Sequence, residues 1–90
     1  SSKKPIWHKQ NVGTSEEAIN LGETTAPGWA FFVNRDTTNY IELKVATGGA
    51  IFAKLKAGEF HFGRLGSGAQ APFAIANTAA CQLEYLIANT

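Results

Sequence analysis

Tyr40-Ile41-Glu42-Leu43-Lys44-Val45-Ala46, then Thr47-Gly48-Gly49, then Ala50-Ile51-Phe52-Ala53-Lys54-Leu55-Lys56, then Ala57-Gly58, then Glu59-Phe60-His61-Phe62-Gly63-Arg64-Leu65: this stretch decides the fold. Its side chains change character with a period of two, the period of a β-strand with one face buried. Ile41, Leu43 and Val45 alternate with Tyr40, Glu42 and Lys44, and Ile51, Ala53 and Leu55 alternate with Phe52, Lys54 and Lys56. Matching the apolar faces pairs Val45 with Ile51, Leu43 with Ala53 and Ile41 with Leu55, and sets Glu42 opposite Lys54. That register needs an odd loop, the three residues Thr47-Gly48-Gly49, with a glycine in the left-handed conformation. A two-residue loop would set Leu43 opposite Lys54 and misplace the apolar face. A two-residue turn at Ala57-Gly58 next pairs Leu55 with Phe60 and Ala53 with Phe62. It makes residues 40–65 a three-stranded meander with Ile41, Leu43, Val45, Ile51, Leu55, Phe60 and Phe62 on the core side and His61 outside. Ala-Gly also suits a type II turn better than the mirror-image turns hairpins prefer, which leaves open a crossing to a second sheet.

Working outward, the same grammar continues. Trp29–Val33 is a continuous apolar run, as in a strand buried on both faces. Residues 34–39 (Asn-Arg-Asp-Thr-Thr-Asn) are dense in turn formers. Residues 66–72 read as a flexible loop, and Phe73–Asn77 and Cys81–Ala88 as further strands. Before Pro27, Thr14–Ile19 has helix-capping residues but is too short to stand alone, so it reads as one turn or as a loop leading into a strand at Ala18–Leu21. Seven to eight short strands at roughly ten-residue spacing predict an all-β fold, a small antiparallel β-sandwich, jelly-roll-like or barrel, in one domain over residues 13–90. Residues 1–12 read as an extended basic N-terminal arm.

Composition bounds the function. The 90 residues are 44% hydrophobic and 17% charged, a folded rather than disordered composition. Net charge is +1, which points away from a polyanion-binding body. The charge is uneven: residues 1–9 carry Lys3, Lys4 and Lys9 and no acid, while residues 10–90 carry five bases against seven acids. A basic arm with Trp7 as an apolar anchor suits docking on an acidic neighbour. The single cysteine, Cys81, sits in an alternating apolar run and reads as a small buried hydrophobe. No apolar run approaches the ~18–20 residues of a membrane span. The polar, basic first twelve residues resemble no signal peptide, and the simplest expectation is synthesis in a reducing cytoplasm.

Catalytic motifs are missing. His8 and His61 have no neighbours with metal-ligand spacing, Glu16-Glu17 are adjacent rather than converging across a cleft, and Cys81 has no evident base. Gly63-Arg64-Leu65-Gly66-Ser67-Gly68 lacks the Lys-Ser/Thr and the helix that a phosphate loop requires. The reading is a protein without catalysis, cofactor or metal. One face of the central strands gathers Tyr40, Phe52, Lys44, Lys54, Lys56 and His61, a mixture able to hold single-stranded nucleic acid. Glu42 and Glu59 on that face weigh against it.

Three blocks carry a resemblance: Pro27–Leu43 with its Asn-Arg-Asp-Thr-Thr-Asn-Tyr centre, Leu55-Lys56-Ala57-Gly58-Glu59-Phe60, and Ala76-Asn77-Thr78-Ala79-Ala80-Cys81-Gln82-Leu83-Glu84-Tyr85-Leu86-Ile87. In this order they resemble small virion structural proteins of tailed bacteriophages, over residues 12–90. Arg35 stands where that pattern has an apolar residue, and Ala57 where a turn proline is common. The resemblance implies a virion protein: a capsid decoration or cement protein that binds the major capsid protein, or a tail, neck or fibre-associated component. A homo-oligomer, with a trimer favoured, would cover sheet edges. The expected partner contacts are Lys3, Lys4, Trp7 and Lys9 of the arm, and Arg35. An alternative of another class is a carbohydrate-binding or single-stranded-nucleic-acid-binding β module.

Overall fold

A computed structural model describes residues 7–22, 24, 26–65 and 71–89. Among the described residues eight strands follow one another: β1 (Trp7–Val12), β2 (Glu17–Ala18), β3 (Pro27–Asn34), β4 (Ile41–Lys44), β5 (Ile51–Leu55), β6 (Phe60–Arg64), β7 (Phe73–Ala76) and β8 (Cys81–Asn89). They form two four-stranded antiparallel sheets, the first in the order β1-β8-β3-β6 and the second in the order β2-β7-β4-β5. The chain is an all-β sandwich. Its strands pair first with last, second with seventh, third with sixth and fourth with fifth, the nested order of an eight-stranded jelly roll.

The core lies between the sheets. Val12, Ala30, Phe32, Leu83, Tyr85 and Ile87 from the first meet Ile41, Leu43, Leu55, Ala74 and Ala76 from the second, with Ile19 and Cys81 closing the ends. Among the described residues one polar side chain is buried with them. Asn34, 0% exposed, donates from Nδ2 to the carbonyls of Asn39 and Leu55, each at 2.9 Å, and accepts at Oδ1 from the Asp36 N–H at 2.9 Å. It ties the end of β3 to the following loop and to the end of β5.

The β4–β5 register obeys the alternation over three pairs: Ile41 with Leu55, Glu42 with Lys54 and Leu43 with Ala53. It then shifts, so that Lys44 and not Val45 opposes Ile51. The extra residue is a β-bulge, and a bulge inverts the facing of the residues beyond it. Phe52 packs on the core beside Ala53, while Ile51 and Val45 are exposed, contrary to their expected core positions. In the loop between these strands Gly48 has φ +66°, the left-handed conformation expected of a glycine here.

Residues 40–65 are not a meander. β6 pairs with β3 in the other sheet. The cause is the Ala57-Gly58 turn. Gly58 has φ +81° at the third position of a turn closed by the Glu59 N–H on the Lys56 carbonyl, as type II geometry requires. The Gly58 N–H then donates to the Asn34 carbonyl, and the Asn34 N–H to the Glu59 carbonyl, handing the chain to β3. The crossing inverts the expected faces: Phe60 and Phe62 point outward, and His61 turns inward, edge-on to Phe52 at 5.5 Å.

Trp29–Val33 is not buried on both faces, because Trp29 is exposed and Phe31 only half-buried. Residues 7–12 are no free arm. They form β1 along β8, with the side-chain amide of Gln10 donating to the Ala18 carbonyl and its oxygen accepting from the Asn20 N–H. Residues 14–19 hold no helical turn, and the strand expected at Ala18–Leu21 is the two-residue Glu17–Ala18. Lys3, Lys4 and the loop residues 66–70 lie outside the described residues.

Candidate functional site

The outward face of the first sheet is a grid fixed by strand register. One row across the sheet is Lys9, Glu84, Val33 and Phe60; the next is Trp7, Leu86, Phe31 and Phe62; a third is Ala88, Trp29 and Arg64. Alternation would normally place polar side chains here. Instead five aromatic rings stand together. Trp7 is 50% exposed, Trp29 42%, Phe60 63% and Phe62 58%. Rings of this kind carry roughly 150–250 Å² each. The four together therefore leave roughly 400 Å² of aromatic surface in water, as much as the largest apolar patch on a typical monomer.

The rings pack on one another. Phe31 lies parallel to Phe60, 2° between planes and 5.3 Å between centroids, and Trp29 stacks on Phe62 at 5.5 Å and 16°. Trp7 meets Phe31 edge-on at 5.6 Å, and Arg64 lies over the Trp29 ring, 5.0 Å from its centroid. Stacking lowers the exposed area and holds the rings in fixed places. Each stack covers one face of each of its two rings, a face that is then lost to any flat ligand such as a sugar.

A polar margin borders the rings. Arg35 pairs with Glu84 at 2.7 Å, and Lys9 stands in register with the same Glu84. Three of the residues read from sequence as partner contacts, Trp7, Lys9 and Arg35, therefore share one sheet face. Trp29, Phe31, Phe60 and Phe62 make up the larger part of that face, although apolar patterning alone directs them to the core. The signal that places Phe60 and Phe62 is the type II preference of Ala57-Gly58, which sends β6 to the other sheet and reverses its parity; Trp29 and Phe31 face outward because Ala30 and Phe32, which alternate with them on β3, fill the core.

Other charged and titratable groups serve the scaffold. Glu16 accepts from Lys44 Nζ at 2.7 Å, Thr47 Oγ1 at 2.7 Å and the Gly48 N–H at 2.8 Å, and these bonds, the lysine's foremost, lower its pKa from 4.5 to about 2. Asp36 accepts from the Asn39 and Thr38 N–H groups, which hold its carboxyl below the usual range. Burial pushes up the Cys81 thiol and the Tyr85 phenol. The basic and aromatic face expected for nucleic acid is not one surface. Phe52 and His61 face inward, Lys44 pairs with Glu16, and Lys54 lies 4.1 Å over the Tyr40 ring. Among the described residues no three His, Cys, Asp or Glu side chains converge on a possible metal position. An open groove of about 570 Å³ runs between β5 and β6, lined in part by Phe52, Lys54, Glu59, Phe60 and His61.

Compared with protein-family models, curated proteins and solved structures, the chain finds no match.

Proposed function

We propose that this chain is a structural subunit of a tailed-phage virion, a capsid decoration protein that docks on the major capsid protein and performs no catalysis. The observation that carries the reading is the aromatic outer face of the first sheet, with its Lys9, Glu84 and Arg35 margin. Apolar centres ringed by polar groups are the anatomy of protein interfaces, and tryptophan and arginine dominate their energetics. The three sequence blocks similar to phage virion proteins supply the choice of partner. The jelly roll supports it only by analogy, since capsid and lectin domains share that architecture. Against a lectin stands the mutual stacking of the rings, which takes up one face of each of Trp29, Phe31, Phe60 and Phe62.

The test is add-back to phage particles produced without this chain. The wild-type protein is expected to decorate the icosahedral shell in cryo-electron microscopy. The double variant Trp29→Ser, Phe62→Ser is expected to lose more than tenfold in occupancy, the scale of interface hot spots. Equal occupancy of variant and wild type would remove the aromatic face from the contact. Density confined to the tail or neck would move the protein to the second virion role with the same face. Retention of the free chain on glycans, with no binding to particles, would replace the proposal by the lectin reading.

A further inference from the structure

A sandwich has four sheet edges, and proteins guard such edges with short strands, lysines, prolines or bulges. Three edges here are guarded. β2 is two residues long. β5 carries Lys54 and the bulge at Phe52. β1 carries Lys9, and the chain leaving it crosses to the second sheet, where the Gly13 carbonyl accepts from the Ala76 N–H. β6 is different. Its sequence Phe60-His61-Phe62-Gly63-Arg64 has no lysine, no proline and no register shift against β3, and its one charged side chain, Arg64, stands at the strand's end and lies over the Trp29 ring.

The backbone of β6 shows which groups face outward. The Glu59 carbonyl and the Leu65 N–H both bond β3, to Asn34 and Gly28. Backbone groups of successive residues point to opposite sides of a strand. His61 and Gly63 therefore turn to β3 as well, and Phe60 and Phe62 turn their N–H and C=O groups to the open side, where no described strand lies.

From this edge we infer that the chain dimerises by antiparallel pairing of β6 with β6 of a second copy, about a two-fold axis at Phe62. The register is self-complementary. Phe62 meets Phe62 of the second copy and exchanges both backbone hydrogen bonds with it. His61 meets Gly63 of the second copy, a large side chain opposite none. Phe60 meets Arg64 of the second copy, so no like charges oppose one another. The pairing joins the two first sheets into one eight-stranded sheet and runs the two aromatic faces into a single strip. Threefold closure through sheet edges would need two different open edges on each chain, and among the described strands only β6 is unguarded. The two-fold dimer therefore takes the place of the trimer expected from sequence. This inference is independent of the virion reading, because it concerns the isolated chain.

The test is sedimentation equilibrium of the purified full chain over a wide concentration range, with amide hydrogen exchange on the same samples. The contact is at the small end of specific interfaces, whose lower bound is about 1,200 Å² in total, so a concentration-dependent monomer–dimer equilibrium is expected. The Phe60 and Phe62 amides should gain protection as dimer accumulates. Phe62→Lys, which opposes two ammonium groups across the axis at an exposed position, should raise the dissociation constant more than tenfold. Trp7→Ser, at the far edge of the same face, should leave it unchanged. A monomer at every concentration, a trimer, an undiminished Phe62→Lys dimer, or a dimer without added protection at Phe60 and Phe62 would each overturn the inference.

Discussion

Replacing Asn34 by Ala tests the centre of the fold. Asn34 is the one buried polar side chain among the described residues, and it makes three side-chain hydrogen bonds. The Leu55 carbonyl it serves is buried, and the Asn39 carbonyl and Asp36 N–H are partly so. Alanine keeps the backbone bonds to Glu59 and Gly58 but deletes all three side-chain bonds. Each is worth about 1 kcal/mol net, and a buried partner left unsatisfied adds about 1–3 kcal/mol. The expected loss is about 3–5 kcal/mol. At roughly 0.05–0.15 kcal/mol per residue a domain of this size holds only about 5–13 kcal/mol in all. With a urea slope of about 1–3 kcal/mol per molar, the midpoint should fall by about 2 M. Asn34→Asp is sharper still. Its carboxylate can accept from the Asp36 N–H but sets a negative oxygen against two carbonyl oxygens. It should be at least as damaging as alanine at neutral pH and should recover partly on acidification, when the protonated acid can donate one bond. A cost below about 1 kcal/mol for Asn34→Ala, or an Asn34→Asp variant as stable as wild type at neutral pH, would refute the role assigned to this side chain.

Three further outcomes rest on the same geometry. The Glu16 pKa is lowered on folding, so the unfolded chain binds more protons in acid; its contribution is complete above about pH 4.5 and is lost as pH falls through about 2, and Glu16→Gln should flatten the acid limb of stability over that window. Leu43→Ala, at a fully buried site, should cost ~2–5 kcal/mol; Phe62→Ala should cost only about 0.5–1.5 kcal/mol, the scale of a stacked ring pair, and equal costs in chemical denaturation would mean that the faces of β6 are misassigned. A double-mutant cycle on Glu42 and Lys54, directly opposed across β4 and β5, should give an attractive coupling of ~0.2–1 kcal/mol, and a repulsive sign would reject that register.

Local alternation is legible in the sequence; parity after an irregularity is not. Ile41, Leu43 and Leu55 are core residues because period two holds across the pairs that contain them. A bulge at Phe52 then shifts the count by one, and nothing in Ala50-Ile51-Phe52-Ala53 marks where an extra residue sits. The Ala57-Gly58 turn is readable as type II, but parity in β6 depends on which sheet receives the strand. β1 is hidden for another reason. Its inward residues include His8, which stacks on Tyr85 at 5.5 Å, and Gln10, which holds the Ala18–Asn20 backbone, so no apolar alternation betrays the strand. Arg35, by contrast, is legible in the sequence as a charge in the turn-forming stretch after β3, and it sits at the margin of the aromatic face, paired with Glu84.

The residues that patterning misplaces and those of the candidate interface are largely the same, and one physical cause connects them. Sequence patterning assumes that an apolar side chain in a strand seeks the core of its own chain. Phe60, Phe62, Trp29 and Phe31 satisfy that pattern in composition but lie on the solvent side. Hydrophobic burial within one sandwich cannot account for their placement, because the space between the sheets is already filled by Phe32, Tyr85, Leu43 and Leu83. Fully burying a side chain such as phenylalanine contributes about 1.5–3 kcal/mol. A domain with about 5–13 kcal/mol of stability therefore leaves a large fraction of its own net stability unrealised on this face. Contact with a second surface would realise it. The unguarded β6 borders the same patch, so pairing at that edge and docking on that face would bury neighbouring residues and reinforce each other.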